Sequence, residues 1–387
     1  MCSAERITAE DGDMYTGTVI DVDIHHTWPN DGDLEPYLSP QWQEYVRAPG
    51  RSGPVHMWIE SGFTNPNGVF RRDANPPTGG RPGSFLPMVR EQLLDRHDVV
   101  RGVLTHADAL FLAAIPHPMF AADIARAAND FTSQEWLEQD ERLTGSIVVS
   151  GQIPELAVAE IERHAGDPRM VQVIMAGNGV GQPLGHPLLH PIYQACAEHG
   201  LPIAIHAFGA AGMMPPCSAS GEPSYYIEYH THGLQGMMTT ITSFVTHGVF
   251  DRFPDLKLVV LEAGVAWVPG FLWRFDNAYR RLRIETPWVK RAPSEYFHDH
   301  VRLSTQPLDS PADTHELISA LEAYGGEDLL MFASDYPHWD ADDVDYVAAR
   351  LPRDWHAKVF HDNAAQLYGW TGPAASASRE RVADHAA

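Results

Sequence analysis

Cysteine is scarce: Cys2, Cys196 and Cys217 lie far apart and form no Cys-x-x-Cys pair. That excludes a disulfide framework and a cysteine-rich zinc site. Lysine is also rare for a chain of 387 residues, with only Lys257, Lys290 and Lys358. Basic residues number 27 against 51 acidic ones, a net charge of −24. So acidic a chain lacks the basic surface that DNA, RNA or an anionic membrane requires. No apolar run approaches the roughly 18 residues of a membrane span. The first residues, MCSAERITAEDGDMYTG, carry no apolar stretch of the secretory kind. These absences point to a cytoplasmic protein with a small-molecule partner, not a nucleic acid or a membrane.

What is present is a large apolar fraction, 44%, arranged in short runs. Val/Ile/Leu-rich segments predict strands at 19–24, 98–104, 145–150, 170–176, 202–207, 257–262, 301–305 and 329–334. Amphipathic stretches lie between them, such as PELAVAEIERHA, in which Leu156, Val158, Ala159 and Ile161 are expected to face a sheet. Eight buried-type strands alternating with helices predict an α/β fold, a parallel (β/α)8 TIM barrel. A doubly wound open sheet would want a Gly-rich phosphate turn opening a helix, and none follows the first strand. The GNGVG stretch at 177–181 reads as a mobile barrel loop. We expect a short N-terminal segment (1–17), one barrel domain (18–370) and a disordered tail (371–387).

The segment from about 27 to 97 is rich in Gly, Pro and Arg. Following the first strand, it would lie over the C-terminal mouth as a cap-like insertion, since barrel active sites sit there. Arg71, Arg72 and Arg81 are its candidates for meeting a substrate carboxylate, with plain surface arginines as the alternative.

Polar residues gather at the expected C-terminal strand ends. The first strand, VIDVDIHH, ends in Asp23 and His25; alternate residues of a strand share a side, so both can reach one ion. Asp21 lies one layer deeper on that side, where it would orient a ligand, and His26 lies off the ligand face as a candidate substrate or second-metal contact. The fifth strand ends in His206, the sixth in Glu262, and the eighth leads into Asp335 and His338. Imidazole and carboxylate are ordinary ligands of Zn, Mn and Fe ions. His230, in YYIEYHTHGLQ, is a further site candidate, whereas His232 and His247 read as ordinary polar residues. Trp28, Trp267, Trp273 and Trp339 flank these motifs and would suit the walls of a small-molecule site; core packing accounts for Trp267 and Trp273 equally well.

The motifs IDVDIHHTWP, PLGHPLLHPIYQACAEHGLPIAIHAFG, GVFDRFPDLKLVVLEAGVAWVPGFLWRFD and FASDYPHWD resemble the amidohydrolase-related family. The branch concerned holds aminocarboxymuconate semialdehyde decarboxylase and the resorcylate-type decarboxylases. The resemblance spans about residues 18–370 and implies a metal-dependent barrel enzyme whose ligand positions fall on Asp23, His25, His206 and Asp335. Relatives often carry His-x-His on the first strand, where this chain has Asp23. Decarboxylases of the group place a proton-handling histidine in an HGG sequence after the sixth strand, where this chain has Glu262 in EAG. Many two-metal members bridge their ions with a carboxylated lysine on the fourth strand. Here that strand, MVQVIMA, has no lysine, so a second metal would draw on Glu262, His230, His26 or His338.

Three functions follow. The first is a Zn or Mn enzyme hydrolysing or decarboxylating a small organic acid, amide or lactone, with Asp335, Glu262 and His230 as catalytic groups. The second is a dinuclear Fe/Mn oxygenase on the same fold. The third is a non-catalytic barrel subunit of a homologous hetero-oligomer. Either a homo- or a hetero-oligomer suits an acidic barrel of this kind.

Overall fold

A computed structural model of the chain describes residues 15–48, 68–177, 181–207 and 224–370. Eight strands run in order: β1 (Val19–His26), β2 (Val99–His106), β3 (Leu143–Val148), β4 (Met170–Ala176), β5 (Ile203–His206), β6 (Leu258–Leu261), β7 (Val301–Ser304) and β8 (Leu330–Met331). Each pairs in parallel with the next, in the order β1 to β8, and helices occupy the crossovers. The sheet closes on itself beyond the last ladder. Val22 N–H donates to Phe332 O at 3.0 Å, His25 N–H to Tyr336 O at 2.7 Å, and Asp335 N–H to Asp23 O at 3.1 Å. This is the expected parallel barrel.

The closure explains why β8 has two residues where a strand over 329–334 was expected. From Phe332 onward the backbone leaves the β7 ladder; Phe332 N–H donates to Val359 O at 2.9 Å, while its carbonyl serves β1. β1 is two residues longer than expected, because His25 and His26 pair with Thr105 and His106 of β2.

The helix Pro154–His164 turns a different face inward from the one its apolar residues suggest. Ala157, Glu160, Ile161 and His164 are buried and Ala159 is exposed. Glu160 is drawn in by Asn129, whose amide nitrogen donates to its carboxylate at 2.7 Å and to Val148 O at 2.9 Å. Asn129 Oδ1 accepts from Val148 N–H at 2.8 Å, so one buried amide ties β3 to two helices. Packing is tightest at Gly185, where an added Cβ would lie 2.1 Å from the Ser243 carbonyl oxygen.

The described parts of the 27–97 segment flank the exits of β1 and β8. Phe70 forms an antiparallel bridge with His338. Arg71 N–H donates to Pro337 O at 2.9 Å, Trp339 N–H to Val69 O at 3.1 Å, and Thr27 N–H to Gly83 O at 3.2 Å. Residues 49–67 of the segment lie outside the described residues, as do 178–180 of the Gly-rich loop, Cys2, Cys217 and the 371–387 tail. No helix among the described residues is long and apolar enough to cross a membrane.

Candidate metal centre

Six buried or nearly buried donors converge at the C-terminal ends of β1, β5, β6 and β8. They fall in two groups that share His25: Asp23, His25 and His206, and His25, Glu262, Asp335 and His338. Within each group the ligand atoms lie within 4.8 Å of one another. His25 Nε2 is 2.9 Å from Asp335 Oδ1 and 3.7 Å from Asp23 Oδ1. His206 Nε2 is 3.1 Å from Glu262 Oε2 and 3.5 Å from Asp23 Oδ2. His338 Nδ1 sits 2.7 Å from Asp335 Oδ1, and its ring stacks on Phe70.

The backbone is strained where this assembly needs it. Glu262 and Asp335 adopt φ of +53° and +58°, the left-handed region that non-glycine residues seldom occupy. Glu262 directly follows β6, and Asp335 lies four residues past β8. Glu262 N–H is held by Ser304 Oγ at 3.0 Å, and Asp335 N–H by Asp23 O.

Electrostatics split the carboxylates. Burial raises the Glu262 carboxyl, the charge of Asp335 raises it further, and it ends well above the usual carboxylate range despite His206. Burial would also raise Asp335, but the charge of His338 and the hydrogen bonds from His25 and His338 hold it below that range. For Asp23, burial is outweighed by the charge of His25 and a hydrogen bond from His206, and its carboxyl too is lowered. Burial opposes protonation of His206, yet its hydrogen bond to Asp23 and the charges of Glu262 and Asp23 bring it up to about 9.

The donor set fits a divalent cation. Two imidazole Nε2 atoms, of His25 and His206, face each other at 3.3 Å inside a ring of carboxylates. Asp335 Oδ2 is buried with no hydrogen-bond partner. His206 Nδ1–H donates to the Ala207 carbonyl, so Nε2 is the nitrogen turned to the carboxylates and the one a cation would take in place of a proton. Nitrogen and oxygen donors without sulfur suit Zn, Mn or Fe.

Other expected residues stand elsewhere. Asp21 Oδ1 accepts from the N–H of Asp23 and of Ser334, each at 3.1 Å, so it fixes the backbones that carry two of the donors. His26 takes no part in the centre. It faces the helical layer, its Nε2 2.7 Å from Thr132 Oγ1, and burial lowers it to about 3. His230 is not among the six donors either; its Nε2 lies 3.0 Å from Asp340 Oδ2, with its ring beside Tyr226 and Trp339. Arg71 pairs with Asp73 and Arg81 with Asp108, each at 2.7 Å, while Arg72 is exposed. Trp28 is buried against His106, and Trp273 is exposed, so neither walls the centre; Trp339 stands beside His230. His232 is exposed and His247 half-buried.

Two contributors were missed. Thr105 Oγ1 donates to Asp23 Oδ1 at 2.6 Å, and Ser304 holds Glu262 as described. Their position at strand ends beside the ligand-bearing strands was the available signal.

Residues 20–370 match the family described as Amidohydrolase. A gamma-resorcylate decarboxylase from Polaromonas sp. is 27% identical over 301 residues, covering 73% of this chain and 84% of that protein. An amidohydrolase structure from Mycobacterium avium subsp. paratuberculosis superposes with a TM-score of 0.69 at 20% identity, covering 92% of this chain and 98% of that one. A dihydroxybenzoic acid decarboxylase from Polaromonas, solved with bound manganese and 2-nitroresorcinol, gives 0.60 at 20% identity, with the same coverage of 92% and 98%. With the family match running from the first strand to the end of the barrel, the chain belongs to the amidohydrolase family.

Proposed function

We propose that this protein is a metal-dependent decarboxylase of a small aromatic carboxylic acid, with Glu262 as proton donor. The observation that carries the reading is the placement of two buried carboxyls in one donor group, Glu262 3.1 Å from His206 and Asp335 2.9 Å from His25, with Glu262 pushed above the usual carboxylate range by burial and Asp335 held below it by His338 and His25. A pair pushed apart in this way is how one site provides both acid and anion near neutral pH. The curated relative from Polaromonas is a decarboxylase of this substrate class, and a structural neighbour holds manganese.

Asp23, His25, His206 and Asp335 would hold the ion, Zn or Mn, which when bound polarises the substrate's carboxylate and adjacent oxygen. Glu262 gives its proton to the ring carbon that bears the carboxylate. The bond between that carbon and the carboxyl carbon then breaks, its electron pair restores the ring, and CO2 leaves. Solvent returns a proton to Glu262.

The test is turnover of a panel of hydroxybenzoates in D2O by manganese-loaded protein. Release of CO2 with one deuterium at the vacated carbon supports the reading. Amide or lactone hydrolysis without CO2 release overturns it in favour of a hydrolase, with Asp335 as the base for water. The number of donors, six across the two groups against the four that one ion is proposed to take, also favours a second reading, a dinuclear Fe or Mn oxygenase. Two metals per chain with substrate-dependent oxygen uptake would select it, and one metal with indifference to oxygen would reject it.

A further inference from the structure

We infer that the N-terminal face of the barrel carries a second binding site, for a small dianion such as phosphate or a dicarboxylate, between Lys257 and Arg302. The two residues stand at the opposite end of the strands from the metal centre. Lys257 directly precedes β6 and Arg302 is the second residue of β7, whose Val301 pairs with Leu258. Both line a cleft of about 310 Å³, together with Cys196, Asp255, Asn363 and Gln366.

The charges there are under-compensated. Lys257 Nζ donates to the Asp299 carbonyl at 2.7 Å, and Arg302 Nη1 to the Val301 carbonyl at 2.8 Å. Among the described residues neither forms an ion pair with a carboxylate. The carboxylate of Asp299 is taken by Arg291, and Asp255, which also lines the cleft, is exposed. By contrast Lys358, on the open surface, pairs with both Glu327 and Asp328. Burial lowers Lys257 and the charge of Arg302 lowers it further, against the opposing charges of Asp299 and Asp255; burial also lowers Arg302, opposed by the charges of Asp328 and Asp299. In a chain of net charge −24 with three lysines, two neighbouring cations left facing a cleft are out of keeping with the rest of the surface.

An oxyanion of two charges answers this arrangement. The guanidinium offers a planar fork to two oxygens and the ammonium a point charge beside it. The cleft volume stands at the lower limit of small-molecule sites, which suits phosphate or a short dicarboxylate and is too small for a nucleotide. The asparagine wall is rigid, because Asn363 Nδ2 is committed to Leu330 O at 2.7 Å and Glu327 O at 2.9 Å. This site does not depend on the decarboxylase reading.

Calorimetric titration of the metal-loaded full chain with inorganic phosphate, and separately with malonate, tests the proposal at constant ionic strength in sodium chloride. One saturable site per chain for either anion is expected, weakened about tenfold or more in Lys257→Met and in Arg302→Met. Circular dichroism checks both variants for folding; Lys257→Met is the more conservative change and decides the matter if Arg302→Met does not fold. Anion density between the two side chains in a soaked crystal would agree. No heat beyond the chloride control overturns the proposal, and so does binding that is undiminished in Lys257→Met, which would place the anion elsewhere.

Discussion

Nε2 of His25 faces Nε2 of His206 across 3.3 Å, and three buried carboxylates surround the pair. Two lone pairs so close repel unless a cation or a shared proton lies between them. Bound metal is therefore expected to contribute folding stability by mass action, about 4 kcal/mol at a thousandfold excess over its dissociation constant. A chelator should lower the melting temperature, and manganese should restore it in a concentration-dependent way. A melting temperature indifferent to both would contradict a metal at this site.

Thr105 belongs to this centre without touching the metal. Its hydroxyl donates to Asp23 Oδ1 at 2.6 Å and so fixes which oxygen turns to the ion. Thr105→Val keeps the shape and removes that bond. Metal affinity should fall roughly 10–100-fold, as it does when outer partners of ligands are lost. The competing cost to folding is only about 1 kcal/mol. Competition against a chromophoric chelator measures the affinity, and an unchanged value would remove Thr105 from the assembly.

The difference between Asp23 and Thr105 shows what was legible in the sequence. Asp23, His25, His206 and Asp335 end apolar runs, and period-two alternation is enough to put acids and imidazoles at one mouth. Thr105 also ends an apolar run, but a hydroxyl there does not point to a metal; its pairing with His25, in the register of β1 and β2, brings it to Asp23. The same limit applies to Glu160, whose inward turn depends on Asn129, 31 residues away. His26 was legible as off the ligand face, but its partner Thr132 lies 106 residues along the chain. His230 sits in a motif that suggests chemistry, yet its carboxylate partner is Asp340, so tertiary pairing and not local pattern decides its place.

That pairing gives His230 a different expected role from the six donors. The His230–Asp340 pair, flanked by Tyr226 and Trp339, forms a polar wall beside the centre. His230→Ala should leave metal content at the wild-type level and raise KM about tenfold, the size of one lost polar contact to substrate. A stoichiometric loss of metal in this variant would instead return His230 to the ligand set.

Asp342 gives the fold a pH dependence of predictable sign. Burial raises its carboxyl, the Leu308 N–H opposes this at 2.8 Å, and the charge of Asp335 adds to the rise, to about 7. Between the ordinary aspartate value and 7 the folded chain holds a proton that the unfolded chain has released. Stability from this group therefore falls as pH rises from about 4 to 7 and is level above that. Asp342→Asn retains an acceptor for Leu308 and removes the fall. The variant should match wild type at pH 4 and exceed it at pH 8 by up to about 4 kcal/mol, read by urea denaturation. Parallel curves for the two proteins would show that Asp342 does not titrate in this way.

Glu262 and Asp335 lie in one donor group, and the opposite displacement of their carboxyls, Glu262 upward and Asp335 downward, predicts opposite failures on neutral substitution. Asp335 is ionised and bonded to both His25 and His338, so Asp335→Asn should lose most bound metal along with activity. On the proposed reading Glu262 carries the proton, so Glu262→Gln substitutes one neutral group for another and should keep its metal. Its kcat should still drop by roughly 10²–10⁴-fold, the usual worth of a positioned proton donor. Wild-type kcat should decline as pH rises through the elevated Glu262 range, because the acid form is the one that donates. Metal analysis beside steady-state kinetics separates the two residues. If Glu262→Gln loses its metal as readily as Asp335→Asn, Glu262 is a ligand and the donor of the proton must be sought elsewhere in the mouth.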